Sequence, residues 1–301
     1  MASNPKVSVC VMTYNQEDFI AECLDSILSQ KCDFDFEVIV GEDCSTDNTR
    51  SIVKEYAEKY PDIIKPIFYK VNVGGEENYR TVHNAAKGEL IASMDGDDFW
   101  YQDKLSYQVE FFNKNPDVVQ MWHCADIVDN ESIKTKTFPS KVAQILYPTF
   151  INSKDIALSY ALVGQRSTQM FRASKYDIKL LPVGFLDYHI AFLISLNGKS
   201  YYSKKTLGAY RVVPNNSLTT NCNSNRKITV DLLSADLMRI AKKHPEYKVE
   251  LKSNILVRKL MSKLKGHNLN LLNMNLKKME EIQASPFLFL KSCYYFILQK
   301  I

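Results

Sequence analysis

The first hundred residues alternate between short apolar runs and amphipathic stretches. Val7-Ser8-Val9-Cys10-Val11-Met12 is a β-rich run of the length of one buried strand. Across 18–30 the apolar residues Ile20, Cys23, Leu24, Ile27 and Leu28 return at helical spacing. Phe36-Glu37-Val38-Ile39-Val40-Gly41 predicts a second strand. The capping-rich turn at 42–49 leads to a helix over 49–59, with Ile52, Val53 and Tyr56 inward. A strand over 63–71, a helix over 79–86 and a strand over 90–94 complete the series. Strands alternating with helices predict an α/β fold with a mostly parallel central sheet covered on both faces.

The pattern is less regular beyond residue 100. It predicts helices over 104–113, 154–162 and 187–196, and strands near 118–128, 168–172, 201–202 and 207–211. The stretch 129–148 reads as loop, and several helices follow residue 226. Two units are expected: a domain over 1–221 and a basic helical C-terminal extension over 222–301. Residues 1–221 hold 23 Lys and Arg against 28 Asp and Glu, a balance of −5. Residues 222–301 hold 15 against 6, a balance of +9, which points to an anionic partner or a solvated helical face.

Composition narrows the class. The hydrophobic share of 46% and charged share of 24% are those of a soluble globular chain. No basic stretch followed by an apolar one opens the chain, so no signal peptide is expected. No run approaches the length of a membrane span. The seven cysteines are widely spaced with no C-x-x-C, which argues against a zinc site or a disulfide framework and fits a reducing cytoplasm. Cys10 reads as a small core residue. No nucleic-acid recognition motif accompanies the basic tail.

In a parallel sheet, ligands bind at the carboxyl ends of the strands. Three polar clusters fall there: 13–17, 42–47 and 95–98. The last, Asp95-Gly96-Asp97-Asp98, sets three carboxylates within four residues at the end of an apolar run. Such charges repel and resist burial unless a cation joins them. Carboxylate oxygens are preferred ligands of Mg2+ or Mn2+, and Mg2+ takes its remaining ligands from water and substrate phosphates. A solvated turn is the alternative for the cluster alone.

The ordered series Thr13-Tyr14-Asn15-Gln16-Glu17, Gly41-Glu42-Asp43-Cys44-Ser45-Thr46-Asp47, Asn72-Val73-Gly74, Ala86-Lys87-Gly88-Glu89 and Asp95-Gly96-Asp97-Asp98 closely resembles the family 2 glycosyltransferases. The resemblance covers about residues 6–215. It implies the GT-A fold and inverting transfer of a sugar from a nucleotide-sugar, usually a UDP-sugar. It further implies that Thr13, Tyr14 and Glu17 line the nucleotide pocket, that Asp43 bonds the base, and that Arg80 contacts the nucleotide. Asp97 would ligate Mn2+ or Mg2+, with Asp95 holding the ribose or metal waters and Asp98 orienting the donor sugar. The general base would be an acid at the start of a helix in the second half, a place that Asp187 matches. Asp187 also suits a helix N-cap, and His189 is an alternative base. Tyr210-Arg211 and Ser217 resemble a further family segment, in which Arg211 would contact the diphosphate. Val213 stands where relatives often have histidine. Trp100 flanks the cleft or belongs to the core, and Gln169 has no assigned role.

The expected acceptor is a hydroxyl of a glycan or of a polyprenyl-linked intermediate in bacterial surface-polysaccharide assembly. That implies a cytoplasmic protein, peripheral at the inner membrane. The basic extension and the aromatic run 287–298 would meet the membrane face or pack on the catalytic domain. A nucleotidyltransferase is the competing enzyme class. It would bring a Gly-rich, Lys/Arg-containing phosphate loop after the first strand, where Thr13-Tyr14-Asn15-Gln16-Glu17 stands instead. A nucleotide-sugar-binding module without catalysis is the non-enzymatic alternative, and the intact Asp95, Asp97 and Asp187 weigh against it.

Overall fold

The computed structural model describes residues 4–212, 223–264 and 285–298. Val213 and Ser217 lie outside them. Ten strands form one mixed sheet with β3-β2-β1-β4-β9-β6-β10-β5 as its main order. These are β1 Val7–Thr13, β2 Phe36–Glu42, β3 Ile64–Phe68, β4 Leu90–Asp95, β5 Phe99–Trp100, β6 Val118–Val128, β9 Met170–Arg172 and β10 Lys199–Arg211. Two more, β7 Lys134–Phe138 and β8 Phe150–Ile151, pair with β6 and β10. The long ladders are parallel, β1 with β2 and β4, β2 with β3, and β6 with β10. Short antiparallel pairings through β9 join the two halves.

The two-residue period of the strands explains why both faces are covered. Along β1, Val7, Val9 and Val11 enter one core, while Cys10 and Met12 enter the other. The first core is closed by helices α1 Ile20–Leu28, α2 Thr49–Lys59 and α4 Lys104–Lys114, through Ile20, Val53 and Phe112. The second is closed by α3 Gly75–Ala85 and α7 Asp187–Ser195, through Val82 and Phe192. Each such buried aliphatic or aromatic side chain contributes about 1.5–3 kcal/mol relative to exposure. Two short helices, α5 Lys141–Leu146 and α6 Ser153–Leu158, precede α7 in the chain.

The C-terminal helices α8 Asn223–Lys243, α9 Lys248–Leu264 and α10 Pro286–Leu298 pack into the second core. Leu237, Ile240, Leu251, Ile255 and Tyr295 share it with Tyr188 and Phe192. The stretch 129–148 is not all loop, since it holds β7 and α5. The sequence Lys134-Thr135-Lys136-Thr137-Phe138 lacks an apolar alternation because β7 is an exposed edge strand. Ser140 caps α5, its Oγ accepting from the Ala143 N–H. Trp100 is a core residue, and its Nε1 donates to the Ser167 carbonyl at 2.7 Å. Gln169 is buried and donates to Gln120 Oε1 at 3.0 Å.

Candidate active site

The in-register ends of β1, β2 and β4 set Thr13 beside Glu42 and Met12 beside Asp95. All three polar clusters therefore share one sheet edge. The loops after β1 and β2 are bonded to each other. The Asn15 N–H donates to Ser45 Oγ, and Asn15 Oδ1 accepts from the Thr46 N–H. Glu17 Oε2 accepts from the backbone and amide of Asn48, and the Glu17 N–H donates to Asp47. Asn15 and Cys44 take left-handed backbone conformations, with φ of 51° and 58°. Such strained non-glycine residues cluster at functional loops.

Asp43 is buried, and its two carboxylate oxygens accept from the Val73 and Gly74 N–H groups at 2.7 and 2.9 Å. It thereby fixes the Asn72-Val73-Gly74 turn, where Gly74 has φ +83°. Glu42, fully buried, pairs with Arg50 and accepts from the Ser45 N–H. Tyr14 stands open at 44% exposure. Thr13 Oγ1 and Gln16 Oε1 are buried at this edge without a hydrogen-bond partner. Buried polar groups are seldom left so, and these two are suited to a ligand's donors.

Gly96 permits the tight turn between Asp95 and Asp97. A Cβ there would lie 2.6 Å from Gln16 Oε1 and 2.9 Å from Thr13 Oγ1. The three acids then divide. Asp98 is buried, its oxygens accepting from Ser167 Oγ and the Arg211 N–H, so it braces the fold rather than facing a sugar. Asp95 and Asp97 stay partly open. Burial raises the proton affinity of both carboxyls, against the pull of Arg166 on Asp95. The Asp97 and Asp187 charges push Asp95 further up. Two crowded, desolvated carboxylates suit a hard dication that brings its own phosphate ligands. No three His, Cys, Asp or Glu side chains converge into a fuller ligand set among the described residues.

Helix α7 has the sequence Asp187-Tyr188-His189-Ile190-Ala191-Phe192-Leu193-Ile194-Ser195, and every residue after Asp187 is buried. A helix without a polar face belongs inside. Asp187 is its first residue, half-exposed, and Leu186 holds the cap position without a side-chain bond. A carboxylate there is favoured by the helix dipole. His189 points the other way. It is buried in the core, and its Nδ1–H donates to Asp236 of α8 at 2.6 Å, so its ring does not reach the open edge where Asp187 stands.

Two arginines differ from expectation. All five N–H donors of Arg211 are engaged inside the protein. They reach the carbonyls of Asp97, Asp129 and Asn130, Glu22 Oε2 and Ser132 Oγ. None is left for a diphosphate. Arg80 bonds Glu76 and the carbonyls of Ile178, Leu181 and Pro182, and it stacks on Phe185. It holds the loop before α7. Arg239 and Lys243 of α8 bond the same loop at the carbonyls of Val183, Gly184 and Leu180.

The residue that sequence reasoning missed is Arg166. It lies between the acids, bonded to Asp187 and 3.8 Å from Asp95 Oδ1. Ser167, also missed, accepts from the Asp95 N–H at 3.0 Å and donates to Asp98. Both sit on a 3-10 turn, Arg166–Thr168, with no periodic signal to mark it.

The model for glycosyl transferase family 2 matches residues 8–175, which carry all three strand-end clusters. The chain belongs to glycosyl transferase family 2. The Mycobacterium tuberculosis protein Rv1520, itself uncharacterized, is 31% identical over 206 residues, covering 68% of this chain. The chain spans 58% of that relative's length. The putative teichuronic acid biosynthesis glycosyltransferase TuaG of Bacillus subtilis is 30% identical over 220 residues, covering 72% of this chain and 82% of TuaG. The fold is GT-A. Staphylococcus aureus TarS residues 1–349, solved with UDP-GlcNAc, superposes with a TM-score of 0.61 at 19% identity, over 98% of this chain and 81% of that one. The Pyrobaculum calidifontis mannosyltransferase PcManGT, solved with GDP-Man and Mn2+, gives 0.59 at 19% identity, over 99% and 87%.

Proposed function

We propose that the protein transfers a sugar, with inversion, from a nucleotide-sugar to a hydroxyl of a glycan or lipid-linked acceptor. The donor is a UDP-sugar in this reading, and the product belongs to bacterial surface polysaccharide. One observation carries the reading. The Asp95 and Asp187 carboxylates, from distant parts of the chain, converge on the Arg166 guanidinium at the strand-end edge. Donor-side acid and base-side acid are thereby neighbours, as a single displacement requires.

In that displacement the acceptor oxygen bonds the anomeric carbon while the bond from that carbon to the diphosphate breaks. The acceptor proton passes to the Asp187 carboxylate, a task worth about 10²–10⁴ in rate. Asp97 and Asp95 would hold Mn2+ or Mg2+, which when bound neutralises charge on the leaving diphosphate. Thr13, Tyr14 and Glu17 border the nucleotide side, and Asp43 fixes the turn beside it. Support also comes from the relatives, since TarS is solved with UDP-GlcNAc, PcManGT with Mn2+, and TuaG is named for teichuronic acid.

We further propose peripheral contact with the cytoplasmic membrane face. No helix among the described residues is long and apolar enough to cross a membrane. Helix α10 exposes Phe287, Leu290, Tyr294 and Ile297 at helical spacing, within the region whose balance is +9. Exposed apolar side chains within a region of net positive charge suit an anionic lipid surface.

The test is a screen of nucleotide-sugars for nucleoside-diphosphate release, with Mn2+ and with EDTA. Release from one donor, lost in EDTA and in Asp97→Ala, is expected. Release unaffected by EDTA would sink the role of Asp97, and no release from any donor would sink the reading.

A further inference from the structure

Arg166 is an arginine at this edge whose donors are not closed by oxygen acceptors. One amino group bonds Asp187. The other meets only the Met12 thioether, at 3.3 Å, a weak acceptor. Nε faces Asp95 at ion-pair distance, 3.8 Å. The guanidinium lies over the Tyr79 ring, 5.4 Å from its centroid, and its side chain keeps 22% exposure. Arg211 and Arg80, by contrast, are closed by carbonyls and carboxylates. One positive charge is therefore shared by two acids with assigned roles on opposite sides of the reaction.

A guanidinium pairs with phosphate as well as with carboxylate, through parallel N–H donors. A diphosphate arriving beside Asp95 and Asp97 competes with Asp187 for that group. We infer that Arg166 exchanges partners. Before donor binding it ties up the Asp187 carboxylate. When the nucleoside diphosphate enters, it turns to the phosphate oxygens and frees Asp187 to accept the acceptor proton. Donor occupancy then gates the base, and the order of binding is donor before acceptor activation. No bond is made or broken in the exchange. The inference rests on the assignment of Asp187 as base and of Asp95 and Asp97 to the donor side.

The exchange is tested by calorimetric UDP binding, with and without Mn2+, on the full chain. The forms compared are wild type, Asp187→Asn, Arg166→Met, Arg166→Lys and the double variant Asp187→Asn with Arg166→Met. Removing the competitor should tighten UDP, so Asp187→Asn is expected to bind several-fold more strongly than wild type. Arg166→Met should bind about tenfold more weakly, the equivalent of one charge-assisted bond. Arg166→Lys, which keeps the charge and loses the fork, should fall between. In the Arg166→Met background, Asp187→Asn should change nothing.

Unchanged UDP affinity in Asp187→Asn would overturn the exchange. So would a tightening that persists without Arg166, because a plain field effect of the lost carboxylate would then account for it. If the wild type binds none of UDP, GDP and dTDP, the donor-site reading itself fails, a result distinct from either of these.

Discussion

The proposed donor half and the proposed acceptor half of this site are held by different means. Thr13, Glu42 and Asp95 each end a buried parallel strand, and backbone register sets them side by side. Asp187 follows a segment whose regular structure is two short 3-10 turns, Ala173–Lys175 and Ile178–Leu180. Side chains hold that segment. Arg80 and Glu76 of α3 grip it from one element, and Arg239 and Lys243 of α8 from another. Backbone register is nearly indifferent to single substitutions. A loop held by side-chain bonds can be loosened one bond at a time. The donor side is thus rigid by construction, and the base side is adjustable.

Substitutions can break this comparison. Register sets the strand ends, but the turn at Asp97 beyond them is also tied by a buried side chain, and the largest structural effect is expected there. Arg211→Met leaves three carbonyls and Glu22 without their donor, and each buried acceptor left unsatisfied costs about 1–3 kcal/mol. Urea unfolding of that variant should show the loss, and a cost below 1 kcal/mol would mean that register alone carries the edge. The smaller effect belongs to the base side. Arg239 is 40% exposed, so Arg239→Ala should cost only about 0.5–1.5 kcal/mol. Its expected signature is a several-fold lower kcat with donor KM and UDP affinity unchanged. An equal fall in UDP affinity would show that the two halves are not held separately.

The same contrast explains what the sequence made legible. Strand-end residues follow short, nearly continuous apolar runs that alternate with helical stretches, so the clusters at Thr13, Glu42 and Asp95 could be assigned to one edge from pattern alone. Asp187 was reachable through the family resemblance, which expects an acid at the start of a helix in the second half. Arg166, Ser167 and the grip of α8 on the loop were not. They depend on contacts between residues far apart in the chain, at turns with no period. Arg211 and Arg80 are bonded within the protein in a way the sequence did not show, for a related reason. Their positions in the chain put them near the site, but only the positions of carbonyls decide where a guanidinium's donors go. Asp98, expected to orient the donor sugar, is held as a brace, because Ser167 and the Arg211 backbone close on it.

The central claim is that Asp187 takes the acceptor proton while the strand-end acids serve the donor. Single-turnover transfer by Asp187→Asn, with UDP binding measured on the same preparation, tests it most directly. The account predicts a fall in transfer rate of about 10²–10⁴ with UDP binding retained or tightened. Transfer at the wild-type rate, or a parallel loss of UDP binding, would contradict it.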